Sequence, residues 1–124
     1  MTTPLAHSSA SSSFSLNTVG AKQVQQGLKF KKTFYLLAET FQALGDPSRV
    51  QIIWALSKGE LCVGEMTDLL GMSQPAVSHH LRTLRNLRLV RVRKEGRTAF
   101  YSLDDEHIHG LLQEGIEHVE DLLK

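Results

Sequence analysis

Residues 60–103 read ELCVGEMTDLLGMSQPAVSHHLRTLRNLRLVRVRKEGRTAFYSL, and this run decides the fold. Val63, Met66, Leu69 and Leu70 recur at helical spacing up to Gly71, the residue type that most often closes a helix in the left-handed conformation. Only Met72 separates Gly71 from Ser73, a good N-cap, so a second helix starts almost at once and must meet the first at a steep angle. This is the helix-turn-helix pattern. In the second helix Val77, Leu81 and Leu84 fall on the core face, while Gln74, Ser78, Arg82 and Arg85 fall on a polar face. Pro75 stands in the first turn, where its missing N–H does no harm. After Leu89 the period shortens to that of a strand. Val90 and Val92 alternate with Arg91 and Arg93, Gly96 marks a turn, and Thr98 to Leu103 is rich in β-formers. A basic β-hairpin therefore follows the helix pair.

Working outward, Asp46 and Pro47 form an N-cap with proline at the first helical position, and Val50, Ile53 and Leu56 line one face of a helix that stops by Gly59. Before it, Phe30, Phe34, Leu37, Phe41 and Leu44 mark an amphipathic helix that begins near Leu28 and ends at Gly45. Beyond the hairpin, Asp104 or Asp105 caps a last helix with an apolar stripe of Ile108, Leu111, Leu112, Ile116, Val119 and Leu123. Residues 1–27 hold six serines and one charged side chain, Lys22, and are expected to be a disordered arm because they cannot bury enough apolar area to offset ordering. The expected organisation is thus an arm, 1–27, and one domain, 28–124, mainly α with a small β-hairpin: a winged helix-turn-helix.

The chain of 124 residues, 41% hydrophobic and 22% charged, suits one soluble globular domain rather than a multidomain enzyme. No apolar run approaches the length that spans a bilayer, and the N-terminus lacks a basic head followed by an apolar run, so a cytoplasmic protein is expected. A single thiol, Cys62, cannot form an internal disulfide. The formal net charge of +1 hides a segregation: residues 82–97 carry seven cations against Glu95, and residues 104–124 carry seven carboxylates against Lys124.

The polar helix face with Gln74, Ser78, His79, Arg82 and Arg85 has the side chains that read base edges in a major groove, amide to adenine and guanidinium to guanine. Arg93, Lys94 and Arg97 on the hairpin would neutralise phosphates, which sets register without carrying sequence information. A charge run alone is as often a solvated face; its coupling to a helix-turn-helix and a wing favours double-stranded DNA. His79 reads as DNA-facing and His80 as structural or backbone-contacting.

Asp105, His107, His118 and Asp121 are nitrogen and oxygen donors that suit a divalent cation. His107 and His118 are eleven residues apart, about 20° of helical rotation but roughly 16 Å along the axis, so one chain cannot bring both to one ion. Two such helices packed antiparallel across a twofold axis can. The pairs 107 with 118 and 105 with 121 have nearly equal index sums, which places the axis near residues 112 and 113 and creates two equivalent sites. The plainer alternative is a set of exposed polar residues on a helix whose apolar stripe makes a dimer. His109 points away from His107 by about 200° and faces solvent. Cys62 with Glu65 is a minor second donor pair, although a lone cysteine is more often a small buried hydrophobe.

The run ELCVGEMTDLLGMSQPAVSHHLRTLRNLRLVRVRKEGRTAFYSLDD, with the upstream ALGDPSRVQII, closely resembles the ArsR/SmtB family of winged-helix metal-sensing repressors, over about residues 34–124. The resemblance implies a homodimer whose first and last helices form the interface, and release from operator DNA when metal binds. Its zinc-responsive members place a site across the paired last helices. This sequence matches with Asp105, His107 and His118, and departs at Asp121, where glutamate or histidine is more usual. The family's thiolate site needs a second cysteine two residues after Cys62 or in the arm; here Gly64 stands at that place and the arm has none.

The expected function is a repressor responsive to zinc, or to cobalt or nickel. Its apo homodimer would bind an imperfect palindrome, with recognition helices about 34 Å apart. The rival is a repressor of the same fold that answers to oxidation of Cys62 or to no ligand. An enzyme is not expected, since catalytic zinc needs an open coordination position in a concave pocket and no segment would form one.

Overall fold

A computed structural model describes residues 17–124. The serine-rich beginning of the expected arm lies outside the described residues. Its remainder carries a helix, α1 (Val19–Gly27), capped by Thr18, whose hydroxyl accepts from the Ala21 N–H at 3.0 Å. This corrects the expectation of disorder for that part. The composition argument concerns burial, and α1 buries no residue; a threonine cap and the helix formers Ala21, Lys22, Gln23, Gln25 and Gln26 act locally.

The helix expected from Leu28 is α2 (Lys31–Leu44), and α3 (Pro47–Leu56) follows after Gly45. The sequence Asp46-Pro47-Ser48-Arg49 accounts for this corner. Asp46 accepts the Arg49 N–H at 3.0 Å, and the Arg49 Nε donates at 2.6 Å to the carbonyl of Ala43 near the end of α2. One arginine thus satisfies a carbonyl left open by a helix end. The backbone N–H of Arg49 holds the Asp46 carboxyl below the usual aspartate range, with the charges of Arg49 and His80 acting in the same direction.

Next come a two-residue strand β1 (Leu61–Cys62), then α4 (Val63–Leu70) and α5 (Gln74–Asn86). Gly71, at φ 68°, closes α4, and Ser73 caps α5 by accepting from the Ala76 N–H at 3.2 Å. The wing is β2 (Val90–Glu95) and β3 (Thr98–Leu103), joined at Gly96, φ 63°. The sheet order is β1-β3-β2, all antiparallel, with Leu61 opposite Tyr101 and Val92 opposite Tyr101 on its other side. β1 is absent from the sequence reading because two residues carry no period-2 signal. The last helix, α6 (Glu106–Leu122), is capped by Asp105.

The core gathers Ala43, Ile52, Ile53, Leu56, Met66, Val77, Leu81, Leu84, Leu89 and Val90. α3 buries Ile52 and Ala55 as well as the expected Ile53 and Leu56, since it packs against α4, α5 and β3 together. Leu69, on the expected apolar face of α4, is exposed. The apolar stripe of α6 reaches no fully buried position; it borders an open apolar groove of about 460 Å³ whose other walls are Phe41, Leu44, Val50 and Ile53. Among the described residues no helix is long and apolar enough to cross a membrane.

Candidate nucleic-acid interface and cation ligands

α5 carries its expected polar residues outward: Gln74, His79, Arg82 and Arg85 are exposed and Ser78 is half-buried. Val77, Leu81 and Leu84 pin the opposite face to the core. Ser78, Arg82 and Arg85 share a polar groove of about 560 Å³ with Asn86, Arg88 and Tyr101. The last three were not singled out from sequence. Asn86 ends α5, Arg88 follows it, and Tyr101 comes from the middle strand of the sheet, so their meeting is a product of tertiary packing. Among the described residues Arg82, Arg85, Arg88, Lys94 and Arg97 make no ion pair. The groove is thus lined by cations available to an external anion.

Arg93 differs. Its Nε lies 3.0 and 2.9 Å from the two carboxylate oxygens of Glu60, its guanidinium carbon is 4.9 Å from the centre of the Phe100 ring, and a second nitrogen is 3.9 Å from Glu95. The Arg93 hydrogen bond holds the Glu60 carboxyl below the usual glutamate range. Strand alternation explains the division. Val90, Val92 and Lys94 share the face of β2 that is paired with Leu103, Tyr101 and Ala99, whereas Arg91 and Arg93 share the other face with Ser102 and Phe100. Because Tyr101 lines the α5 groove, Lys94 is on the recognition-helix side of the wing and Arg93 is on the far side.

His80, half-buried, has Nδ1 at 3.5 Å from Arg49 Nη1 and so joins α5 to the α2–α3 corner, in line with the structural role expected for it.

At the other end of the molecule Asp105 divides its oxygens. Oδ1 accepts the N–H groups of His107 at 2.9 Å and Ile108 at 3.3 Å, while Oδ2 lies 3.4 Å from His107 Nδ1. The His107 side chain, followed by these backbone donors, holds the Asp105 carboxyl below the usual range. The His107 side chain is 93% exposed. His118 and Asp121 are exposed near the far end of α6, and Asp121 contacts Lys124 at 3.2 Å. Among the described residues no three histidine, cysteine or carboxylate side chains of one chain come together as a metal cluster. Asp105 and His107 stand together at the start of α6, and His118 and Asp121 lie near its other end.

Cys62 precedes α4 and is half-buried; its N–H donates to Glu65 Oε1 at 2.9 Å. The Glu65 carboxylate therefore closes the start of α4. His109 is exposed, as expected, at the rim of a groove with Lys58, Arg91 and Asp104.

Comparison with known proteins agrees with this architecture. Residues 46–92 match the family described as bacterial regulatory protein, arsR family. A transcriptional repressor SmtB homolog of Synechocystis sp. is 41% identical over 100 residues, which are 81% of this chain and 76% of that protein. A cadmium resistance transcriptional regulatory protein CadC homolog of Staphylococcus aureus is 45% identical over 66% of this chain and 69% of its own length. Among solved structures, the homodimeric winged helix-turn-helix DNA-binding domain Mb0332 of Mycobacterium bovis, a possible ArsR-family regulator, superposes with a TM-score of 0.72 at 26% identity, covering 76% of this chain and 87% of that one. With a helix-turn-helix at α4–α5, a wing at β2–β3 and this degree of identity, the chain belongs to the arsR family of bacterial regulatory proteins and is a DNA-binding transcriptional regulator, not an enzyme.

Proposed function

We propose that the protein is a cytoplasmic, metal-responsive repressor. Its apo homodimer binds an imperfectly palindromic operator and leaves it when zinc, or cobalt or nickel, is bound across the two α6 helices. The observation that carries the metal reading is the divided carboxylate of Asp105. One oxygen serves the helix N-terminus while the other, ionised, stands beside an imidazole that is almost wholly exposed. Two imidazoles and two carboxylates, Asp105 and His107 from one protomer with His118 and Asp121 from the other, match the donor preference of zinc and its neighbours. A bound cation would tie the start of one α6 to the end of the other and so favour one arrangement of the two protomers. The open groove beside α6 gives the apolar area that such a pairing would cover.

On the DNA side, Gln74, Ser78, His79, Arg82 and Arg85 face the major groove, and Lys94 and Arg97 contact phosphate. Arg93, held by Glu60, serves chiefly to brace the wing. His118 acts as transmitter: a ligating imidazole usually donates its other N–H to a carbonyl or carboxylate, and the family resemblance points to a carbonyl near the end of the recognition helix, around Arg88. Coupling is reciprocal, so operator DNA weakens metal binding by the factor by which metal weakens operator binding. The test is an operator-binding titration of the apo protein with zinc, cobalt, nickel and cadmium added in turn, repeated with His118→Gln. The variant should bind DNA as the wild type does and fail to release it with zinc. Release by zinc as in the wild type would remove His118 from the mechanism.

A further inference from the structure

Among the described residues four have φ in the left-handed half of the map. Three are glycines, Gly59, Gly71 and Gly96, and the fourth is Arg88, φ 58°. Both Gly71 and Arg88 stand just past a helix of the helix-turn-helix pair, Gly71 directly after α4 and Arg88 after Leu87 at the end of α5. The backbone at Arg88 makes both bonds of a Schellman closure: the Leu89 N–H donates to the Leu84 carbonyl at 2.9 Å and the Arg88 N–H donates to the Arg85 carbonyl at 2.9 Å. The accompanying apolar contact is supplied by Leu84 and Leu89, both buried. Everything about this closure asks for glycine at 88, because a Cβ in this conformation crowds the neighbouring carbonyl.

The side chain that replaces glycine is exposed, has no ion-pair partner among the described residues, and lines the groove that holds Ser78, Arg82, Arg85 and Tyr101. Strain of this kind persists where the surrounding structure overdetermines it and where the side chain has a use. We propose that Arg88 is a further DNA-contacting residue, a phosphate clamp at the end of the recognition helix, kept at the expense of the stability glycine would add. The inference rests on the DNA reading above and extends it to a residue that composition alone does not distinguish from its neighbours. The left-handed residue ends the helix after Leu87 and leaves Arg88 lining the groove beside Arg82 and Arg85.

The experiment compares wild type, Arg88→Gly, Arg88→Asn and Arg88→Lys, each at one fixed protein concentration. It measures thermal unfolding and binding to a labelled duplex, selected by the wild type from a randomised pool, over a range of salt. Glycine should raise the Tm by about 4–8 °C, the shift that a gain of about fivefold in the folding equilibrium gives a domain of this size. It should also weaken DNA binding and reduce the salt slope by about 0.9 per protomer, one phosphate contact each. Asparagine, which tolerates this conformation, should lose the same slope; lysine should retain slope and wild-type Tm. Glycine with wild-type affinity and slope would overturn the contact, and glycine with weaker binding but no rise in Tm would overturn the strain. If the wild type selected no duplex at all, the DNA reading would fall and this inference with it. Selection by the wild type with no effect at Arg88 would remove this inference alone.

Discussion

Replacing Lys94 by glutamine should weaken operator binding far more than replacing Arg93 by glutamine, although the two changes remove the same charge from neighbouring positions of one strand. Lys94 shares the β2 face whose partner Tyr101 lines the α5 groove, whereas Arg93 lies on the opposite face with both Glu60 oxygens at 3.0 and 2.9 Å from its Nε. A phosphate contact contributes about 0.9 to the slope of log K against log salt. Between molar salt and roughly 0.15 M, its loss costs about fivefold in affinity, and about thirtyfold in a dimer that loses two. Long-range effects of the removed charge are the same for both variants and are screened beyond about 8 Å at that ionic strength. The assay is fluorescence anisotropy of an operator duplex at several salt concentrations. Lys94→Gln should show the thirtyfold loss with a slope lower by about 1.8, and Arg93→Gln a change within about threefold with little change in slope. Equal losses and equal slopes for the two variants would refute the assignment of the wing faces.

Leu84→Ala, at a fully buried position that also supports the end of α5, should cost about 2–5 kcal/mol of stability by denaturant titration, with a shift in midpoint and little change in m. Asp46 and Glu60 both have depressed folded-state pKa values, set by the Arg49 N–H and the Arg93 side chain respectively. Their contribution is therefore present above the carboxylates' unfolded values and is lost as the pH falls through the lower folded ones. Denaturant midpoints should drop on the acid side of that window, and less steeply in an Asp46→Asn/Glu60→Gln variant. Cys62→Ser should leave release by zinc unchanged, because the neighbouring Glu65 carboxylate serves the α4 N-terminus; loss of the response, or a response to oxidant in the wild type that serine abolishes, would favour redox control instead.

The helices were legible because their boundaries are written in residues with a local physical reason: Asp46 before Pro47, Gly71 at φ 68°, Ser73 before Gln74 and Asp105 before Glu106. The wing was legible from alternation, yet alternation alone cannot say which of its cations meets a carboxylate. Glu60 is 33 positions from Arg93 and is brought to it by the placement of β1 against β3, a strand too short to show a period. Leu69 fits the helical spacing of α4 and is exposed all the same, since spacing selects a face and packing decides how much of it is covered. Arg88 was hidden for the opposite reason: arginine in place of glycine conceals a left-handed residue that only the backbone reveals. The separation of Asp105 and His107 from His118 and Asp121 was legible, because helical rotation and rise keep the two pairs apart within one chain.

Mixed dimers test the proposed sharing of a metal site between the two α6 helices directly. His107→Gln and His118→Gln chains, prepared separately, should each form dimers in which both sites lack a ligand. When the two are mixed and allowed to exchange, the heterodimer regains one intact site, built from His107 of the His118→Gln chain and His118 of the His107→Gln chain. Zinc binding by competition with a chromophoric chelator should therefore be weak in either variant alone and return on mixing, at one tight site per heterodimer. Tight zinc binding by either variant alone, or no recovery in heterodimers confirmed to have formed, would contradict a site shared between the two α6 helices.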